Sequence, residues 1–235
     1  MKYIAGFVAI LLVLVFKTLV DANVFKDFAE NNHESCQTLL NLQGVEDIDS
    51  IDDEIILSSA YFPPFYDMHK NPGALYLYNH ATKKLTNLTK SISFEFYPHG
   101  IYFFKTNNKK ILFVINHTTL GDRIERFELV DEKLTNYVFY QTEELYNAND
   151  IVGVDENRFY VTVTHGARSH MGMFIENFSQ LGRGYVLYYD GAKFTKVIDR
   201  LSFANGIEYQ DSTKQLYLSQ MVSKKVGIYS VADFL

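Results

Sequence analysis

The sequence has no tryptophan, four prolines and one cysteine in 235 residues, and no long helical period runs through it after residue 50. Basic charge is scarce as well: 22 Lys and Arg face 28 Asp and Glu, a net charge of −6. Without a basic field a chain has little affinity for phosphate backbones, so nucleic acid is excluded as a partner. Several catalytic signatures are also missing, with no Gly-x-Ser-x-Gly elbow, P-loop, Gly-x-Gly-x-x-Gly or His-Glu-x-x-His, which removes the chemistries they carry. The acidic run Glu46 to Glu54 lacks the glycine and spacing of an EF-hand. His165 and His170, five residues apart with no cysteine nearby, read as surface-loop residues rather than zinc ligands.

Strand-favouring aromatics are abundant, with 19 Phe and 17 Tyr in a chain that is 47% apolar, enough for one large all-β domain with a real core. At the N-terminus, Lys2 precedes an apolar run of 13 residues from Ile4 to Phe16, shorter than the roughly 20 that span a bilayer. Residues 1–22 therefore read as a signal peptide cut after Ala22, or as a signal-anchor retained because Lys17 and Asp21 interrupt the cleavage site. Leu19, Val20, Val24 and Phe28 recur at helical spacing, so residues 23–35 form an amphipathic connecting segment that either lies on a lipid surface or packs on its own domain. Secretion makes the unpaired Cys36 conspicuous, because structural cysteines in oxidising compartments are normally paired. Three sequons, at Asn87, Asn116 and Asn177, fit the same compartment.

Short apolar runs separated by turn residues follow residue 50: Ile55 to Phe62, Ala74 to Tyr78, Ile101 to Phe104, Ile111 to Ile115, Phe159 to Val163, Tyr185 to Tyr189, Gln215 to Leu218 and Val226 to Tyr229. Two of them, starting at Leu75 and Tyr185, lead through a turn into Lys-x-Thr at Lys84 and Lys193, which marks a repeat. Each repeat is headed by a polar turn: Glu46-Asp47, Pro98-His-Gly-Ile101, Asn149-Asp-Ile151 and Ala204-Asn-Gly-Ile207. The key residues at 46, 99, 149 and 205 stand 53, 50 and 56 residues apart, close to the length of a four-stranded propeller blade. In a propeller the innermost strands face a common axis, so one polar residue per blade converges on a single site. Glu46, Asn149 and Asn205 supply hard oxygens, which suit calcium, and Asp47 and Asp150 follow two of them by one residue to hold a second ion.

Gly44-Val-Glu-Asp-Ile48, Pro98-His-Gly-Ile101, Val114-Ile-Asn-His117, Asn149-Asp-Ile-Val152 and Phe203-Ala-Asn-Gly-Ile207 resemble motifs of the paraoxonase/arylesterase family, in family order, over residues 36–231. The resemblance implies a six-bladed β-propeller, about four blades of it in this chain, that hydrolyses aryl esters and lactones. It also implies two Ca2+ ions and a secreted protein associated with lipoprotein or membrane through its N-terminal helix. It assigns Glu46, Asn149 and Asn205 to the catalytic calcium and Asp47, Asp150 and the Ile101 carbonyl to the structural one. His99 is the expected base and His117 its dyad partner. A neutral imidazole near pKa 6.5 can take a proton from water.

Six repeats would extend well past Leu235, so the resemblance places two further blades, an Asp-Asn pair and a disulfide partner for Cys36 beyond this chain. The chain alone is then expected to be poorly soluble, since an open propeller exposes strand edges. Val161-Thr-Val-Thr-His165 keeps the family histidine without its preceding Asn-Asp, which leaves the pocket wall and the substrate undefined. Asn116 adjoins His117, so Asn87 and Asn177 are the expected glycan acceptors. The alternative function is a truncated, non-catalytic propeller that binds lipid or protein through its N-terminal helix.

Overall fold

The computed structural model describes residues 2–21, 23–27, 38–59, 72–106 and 108–232, and the chain divides into two units, Met1–Asn41 and Leu42–Leu235. In the first unit, helix α1 (Lys2–Asp21) takes in more chain than the apolar run. Lys17 Nζ pairs with Asp21 Oδ2 at 2.5 Å across one turn, which accommodates within the helix the two charges that interrupt the apolar sequence. By length and composition α1 can cross a membrane. It stops at Asp21: Asn23 has φ of 57° and its amide donates back to the Val20 carbonyl, and residues 23–27 are not helical. Ala22, Phe28 and Cys36 lie outside the described residues.

Among the described residues of the second unit, fifteen strands form four antiparallel sheets, each in chain order. The first holds β1 (Val45–Ile51), β2 (Glu54–Ser59), β3 (Ala74–Asn79) and β4 (Lys84–Asn87); the second β5 (Pro98–Thr106), β6 (Lys109–Thr118), β7 (Gly121–Val130) and β8 (Lys133–Tyr140). The third holds β9 (Ala148–Gly153), β10 (Phe159–Val163), β11 (Gly184–Tyr189) and β12 (Phe194–Leu201); the fourth β13 (Ala204–Gln210), β14 (Gln215–Gln220) and β15 (Lys225–Ser230). These are four blades of a β-propeller, with β5 packed against β1 and β9, and β9 against β13. The two Lys-x-Thr segments fall at the start of the fourth strands of their blades, β4 and β12, with Lys193 just before β12.

Period-two alternation explains how the blades stack. Along β6, Leu112 and Val114 join Ile56, Leu75 and Phe103 between the first two blades. Their neighbours Ile111, Phe113 and Ile115 face the other way, onto Phe159, Val161 and Leu187 of the third blade. Tyr160, Val186 and Tyr188 continue the pattern into a third layer with Ile207, Leu216 and Leu218. A strand buried on both faces reads as a continuous apolar run, which is why β6 and β10 stand out in the sequence. The strand pattern does not anticipate β7, β8 or helix α2 (His170–Phe178), which lies between β10 and β11. The Ser169 side chain caps it by accepting the Gly172 amide, and Glu176 anchors it by accepting the Gly166 amide at 3.1 Å.

Candidate active site

The polar residues that head the repeats lie within the inner strands rather than in turns, and each sits at a break in strand register. The ladder slips between Val45 and Asp47 in β1 and between Pro98 and Ile101 in β5. It slips again opposite Asn149 and Asp150 in β9 and between Ala204 and Ile207 in β13. A bulge frees residues from the ladder and re-aims their side chains. The residues at these breaks are Glu46-Asp47, of which Glu46 is bulged and Asp47 pairs with Ser58, then His99-Gly100, Asn149-Asp150 and Asn205-Gly206, and all eight line one cavity of about 160 Å³.

The second member of the pair alternates Asp, Gly, Asp, Gly around the cavity, and the aspartates join blades. Asp47 Oδ2 accepts the Ile101 amide of the next blade at 2.7 Å, and Asp150 Oδ2 accepts the Ile207 amide at 2.7 Å. A hydroxyl on the second strand completes each junction. Ser58 accepts the Asp47 amide at 3.1 Å and donates to the His99 carbonyl at 2.6 Å. Thr162 accepts the Asp150 amide at 2.9 Å and donates to the Asn205 carbonyl at 2.8 Å. Each aspartate's Oδ1 also accepts the amide that follows it, from Ile48 or Ile151. A carboxylate has about four lone-pair sites, so both retain acceptor capacity toward the cavity.

Three carboxylates facing one small cavity create an unfavourable field. Burial, and then the charge of Asp47, push the Asp150 carboxyl up to about 7. Burial raises Asp47 as well. Glu46 moves the other way, because its hydrogen bond to His99 lowers it against the opposing effect of burial. Among the described residues no three His, Cys, Asp or Glu side chains close on one point, so a cation here also needs the amides of Asn149 and Asn205. The oxygen donors that these residues supply, three carboxylates and two amides, fit a hard cation such as calcium.

His99 Nε2 lies 3.1 Å from Glu46 Oε1 and 3.1 Å from Asn149 Nδ2. One neighbour accepts and the other donates, so a ring carrying hydrogen on Nε2 pairs with Glu46 and a ring with a lone pair there pairs with Asn149. His117, on β6, meets His99 edge to face with ring centroids 5.0 Å apart. The structure thus brings the two expected histidines together. Asp122, which lies outside every sequence motif, supports them, and Asn116, part of the Val114-Ile-Asn-His117 motif, adjoins His117 in the chain. Asp122 Oδ1 contacts His117 Nδ1 at 2.7 Å, across a hairpin that pairs the two positions. Asn116 is fully buried and donates to Glu125 at 2.7 Å while accepting the Tyr97 amide at 2.8 Å. The only sequence signal for Asp122 is its place five residues after His117 around a tight turn.

Ile101 does not line the cavity; its side chain is buried in the first core layer and its amide is the donor to Asp47. His165 corrects the surface-loop reading, since it is buried, with Nε2 2.9 Å from Asn177 Oδ1 and its ring against Phe203. His170 is exposed, as expected of a surface residue. Asn87 and Asn177 are half-buried.

A sequence model of the family described as "Arylesterase" matches residues 27–233. The chain is 28% identical to human serum paraoxonase/lactonase 3 over 233 residues, 94% of this chain and 65% of that one. It is 30% identical to human serum paraoxonase/arylesterase 1 over 138 residues, 57% of this chain and 39% of that protein. The chain therefore spans less than two thirds of the length of the relatives it matches. Among solved structures, a gluconolactonase from Xanthomonas campestris superposes with a TM-score of 0.51 at 14% identity, covering 76% of this chain and 55% of its own. Regucalcin, a calcium-binding protein from Agrobacterium tumefaciens, gives 0.52 at 11% identity, covering 83% and 56%. At these identities the likeness is one of fold.

Proposed function

The chain belongs to the arylesterase family, and from that premise we propose that it carries the site of a calcium-dependent carboxylic-ester hydrolase acting on aryl esters or lactones. The observation that carries the reading is the convergence of four inner-strand bulges on one oxygen-lined cavity beside the paired rings of His99 and His117. Relatives named for paraoxonase, lactonase and arylesterase support the substrate class.

Glu46, Asn149 and Asn205 would hold the catalytic ion, and Asp47 and Asp150 a second one. When bound, calcium polarises an ester carbonyl and stabilises the oxyanion that forms on it. The chain's own chemistry is proton handling. A neutral His99 draws a proton from the attacking water, and the resulting imidazolium has Glu46 Oε1 within reach of Nε2 as its partner. His117 backs His99 and is itself held by Asp122. Asp47 and Asp150, with Ser58 and Thr162, fix the spacing of the inner strands, so the donors are held by rigid elements rather than loops.

The reading extends to a secreted protein whose α1 serves as signal or anchor toward a lipid surface, with glycans on Asn87 and Asn177. Hydrolysis of phenyl acetate and of a simple lactone, measured with and without EDTA, tests the reading. Turnover that stops with EDTA and returns with calcium is expected; turnover that ignores the chelator contradicts the calcium mechanism.

A further inference from the structure

Asp122 holds two partners at once. Its Oδ2 accepts the Ala148 amide at 2.8 Å, and its Oδ1 faces His117 Nδ1 at 2.7 Å. Ala148 opens β9, one residue before Asn149, so the same carboxylate joins the second blade to the third and touches the histidine dyad. Its side chain is 10% exposed and that of His117 15%, so solvent competes little for either bond. An ionised carboxylate offers only acceptors, which requires His117 to carry a hydrogen on Nδ1; in the neutral ring Nε2 then keeps the lone pair.

We propose that Asp122 is a positioning residue that fixes the Nδ1–H tautomer and the orientation of His117, and through that ring keeps His99 competent as a base. The proposal rests on the hydrolase reading for its effect on turnover, while the tautomer itself stands apart from that reading. A carboxylate behind an imidazole orients the ring and stabilises the cation that forms when it takes a proton. Here the relay has two imidazoles: Asp122 holds His117, and His117 packs edge to face on His99.

Asp122→Asn is the decisive substitution because it preserves shape while reversing one hydrogen bond. The Ala148 amide can only donate and so claims the single amide oxygen. The amide NH2 then faces Nδ1 of His117 and donates to it, which moves the ring hydrogen to Nε2. Both contacts persist, so the variant should fold with a melting temperature within a few degrees of the unaltered protein. On phenyl acetate, kcat should fall at least about 100-fold, the scale of a lost acid–base contribution, with KM changed little.

Long-range 1H–15N correlation spectra at pH 9, where imidazoles are neutral, read the tautomer directly. Protonated Nδ1 on His117 in the unaltered chain, switching to protonated Nε2 in Asp122→Asn, is the expected result. Protonated Nε2 in the unaltered chain overturns the proposal, whatever the activity. Unchanged kcat in a variant whose tautomer has switched also overturns it. If Asp122→Asn does not fold, the spectrum of the unaltered chain decides alone. If the unaltered chain has no turnover, the hydrolase reading fails while the tautomer result stands.

Discussion

Gly100→Ala probes the way the second and third blades meet at the site. A Cβ on residue 100 would lie 2.5 Å from the Asn149 carbonyl oxygen and 2.8 Å from the Asp150 Cα. Both are backbone atoms and cannot rotate away. Ordinary contact begins near 3.4 Å, so β9 must retreat from β5 by about 0.9 Å, a strain of the kind that costs about 1–3 kcal/mol. In a domain of this size that lowers the melting temperature by about 2–12 °C. The retreat separates His99 from Asn149 and displaces two of the oxygen donors, and a misplacement of about 1 Å costs about 100-fold in rate. Gly206→Ala is the internal control, because its Cβ meets the Ser219 hydroxyl at 3.2 Å and Asp150 Oδ2 at 3.6 Å, side-chain atoms that can shift. Urea denaturation and phenyl acetate kinetics on both variants settle the matter. Close packing of β5 on β9 predicts a large loss in both readouts for Gly100→Ala and a small one for Gly206→Ala. Equal, mild effects would mean that close approach of β5 and β9 does not build the site.

Removal of metal should make stability fall as pH rises. Asp150 sits near 7 when folded against 3.8 as the ordinary value, so between about pH 4 and 7 the native state keeps a proton that the unfolded chain has lost. Urea midpoints of the calcium-free protein should therefore drop across that window and recover with calcium at pH 8; a rise would refute the burial of Asp150. Glu46→Gln should weaken calcium binding about tenfold or more with little change in melting. Asp49→Asn should instead cost about 1–2 kcal/mol of stability, since Asp49 accepts the Phe103 amide at 2.7 Å and does not line the cavity; equal effects on calcium affinity would undo the ligand assignment. Peptide mass spectrometry should find Asn116 unmodified, because it is fully buried and bonded to Glu125, with glycan on Asn87 and Asn177.

Much of the fold was legible because a propeller repeats itself. Glu-Asp-Ile, His-Gly-Ile, Asn-Asp-Ile and Asn-Gly-Ile recur at blade spacing, and buried strands such as Ile111 to Ile115 announce themselves as apolar runs. The bulges were not legible, since a register break depends on which residue of the partner strand is opposite, as Thr162 is to the Asn149-Asp150 pair. Nor was the second duty of Asp47 and Asp150: their motif suggested metal ligands, whereas their bonds to the Ile101 and Ile207 amides join segments more than 50 residues apart. His165 looked exposed because it follows a strand into a polar loop. Phe203, which packs on it, comes from the start of the next blade, and Asn177 from helix α2, which the sequence did not reveal. Helix α2 escaped notice because nine residues carry only a weak period, and its start depends on the Ser169 cap.

The most direct test of the central claim is a calcium titration of chelator-treated protein at pH 8, with binding heat and phenyl acetate turnover followed on the same samples. Convergence of the four bulges on a functional cation site predicts that the two signals rise with one midpoint and that Glu46→Gln moves both to higher calcium together. Turnover already at its maximum before calcium is added, or binding that saturates while turnover stays flat, would contradict it.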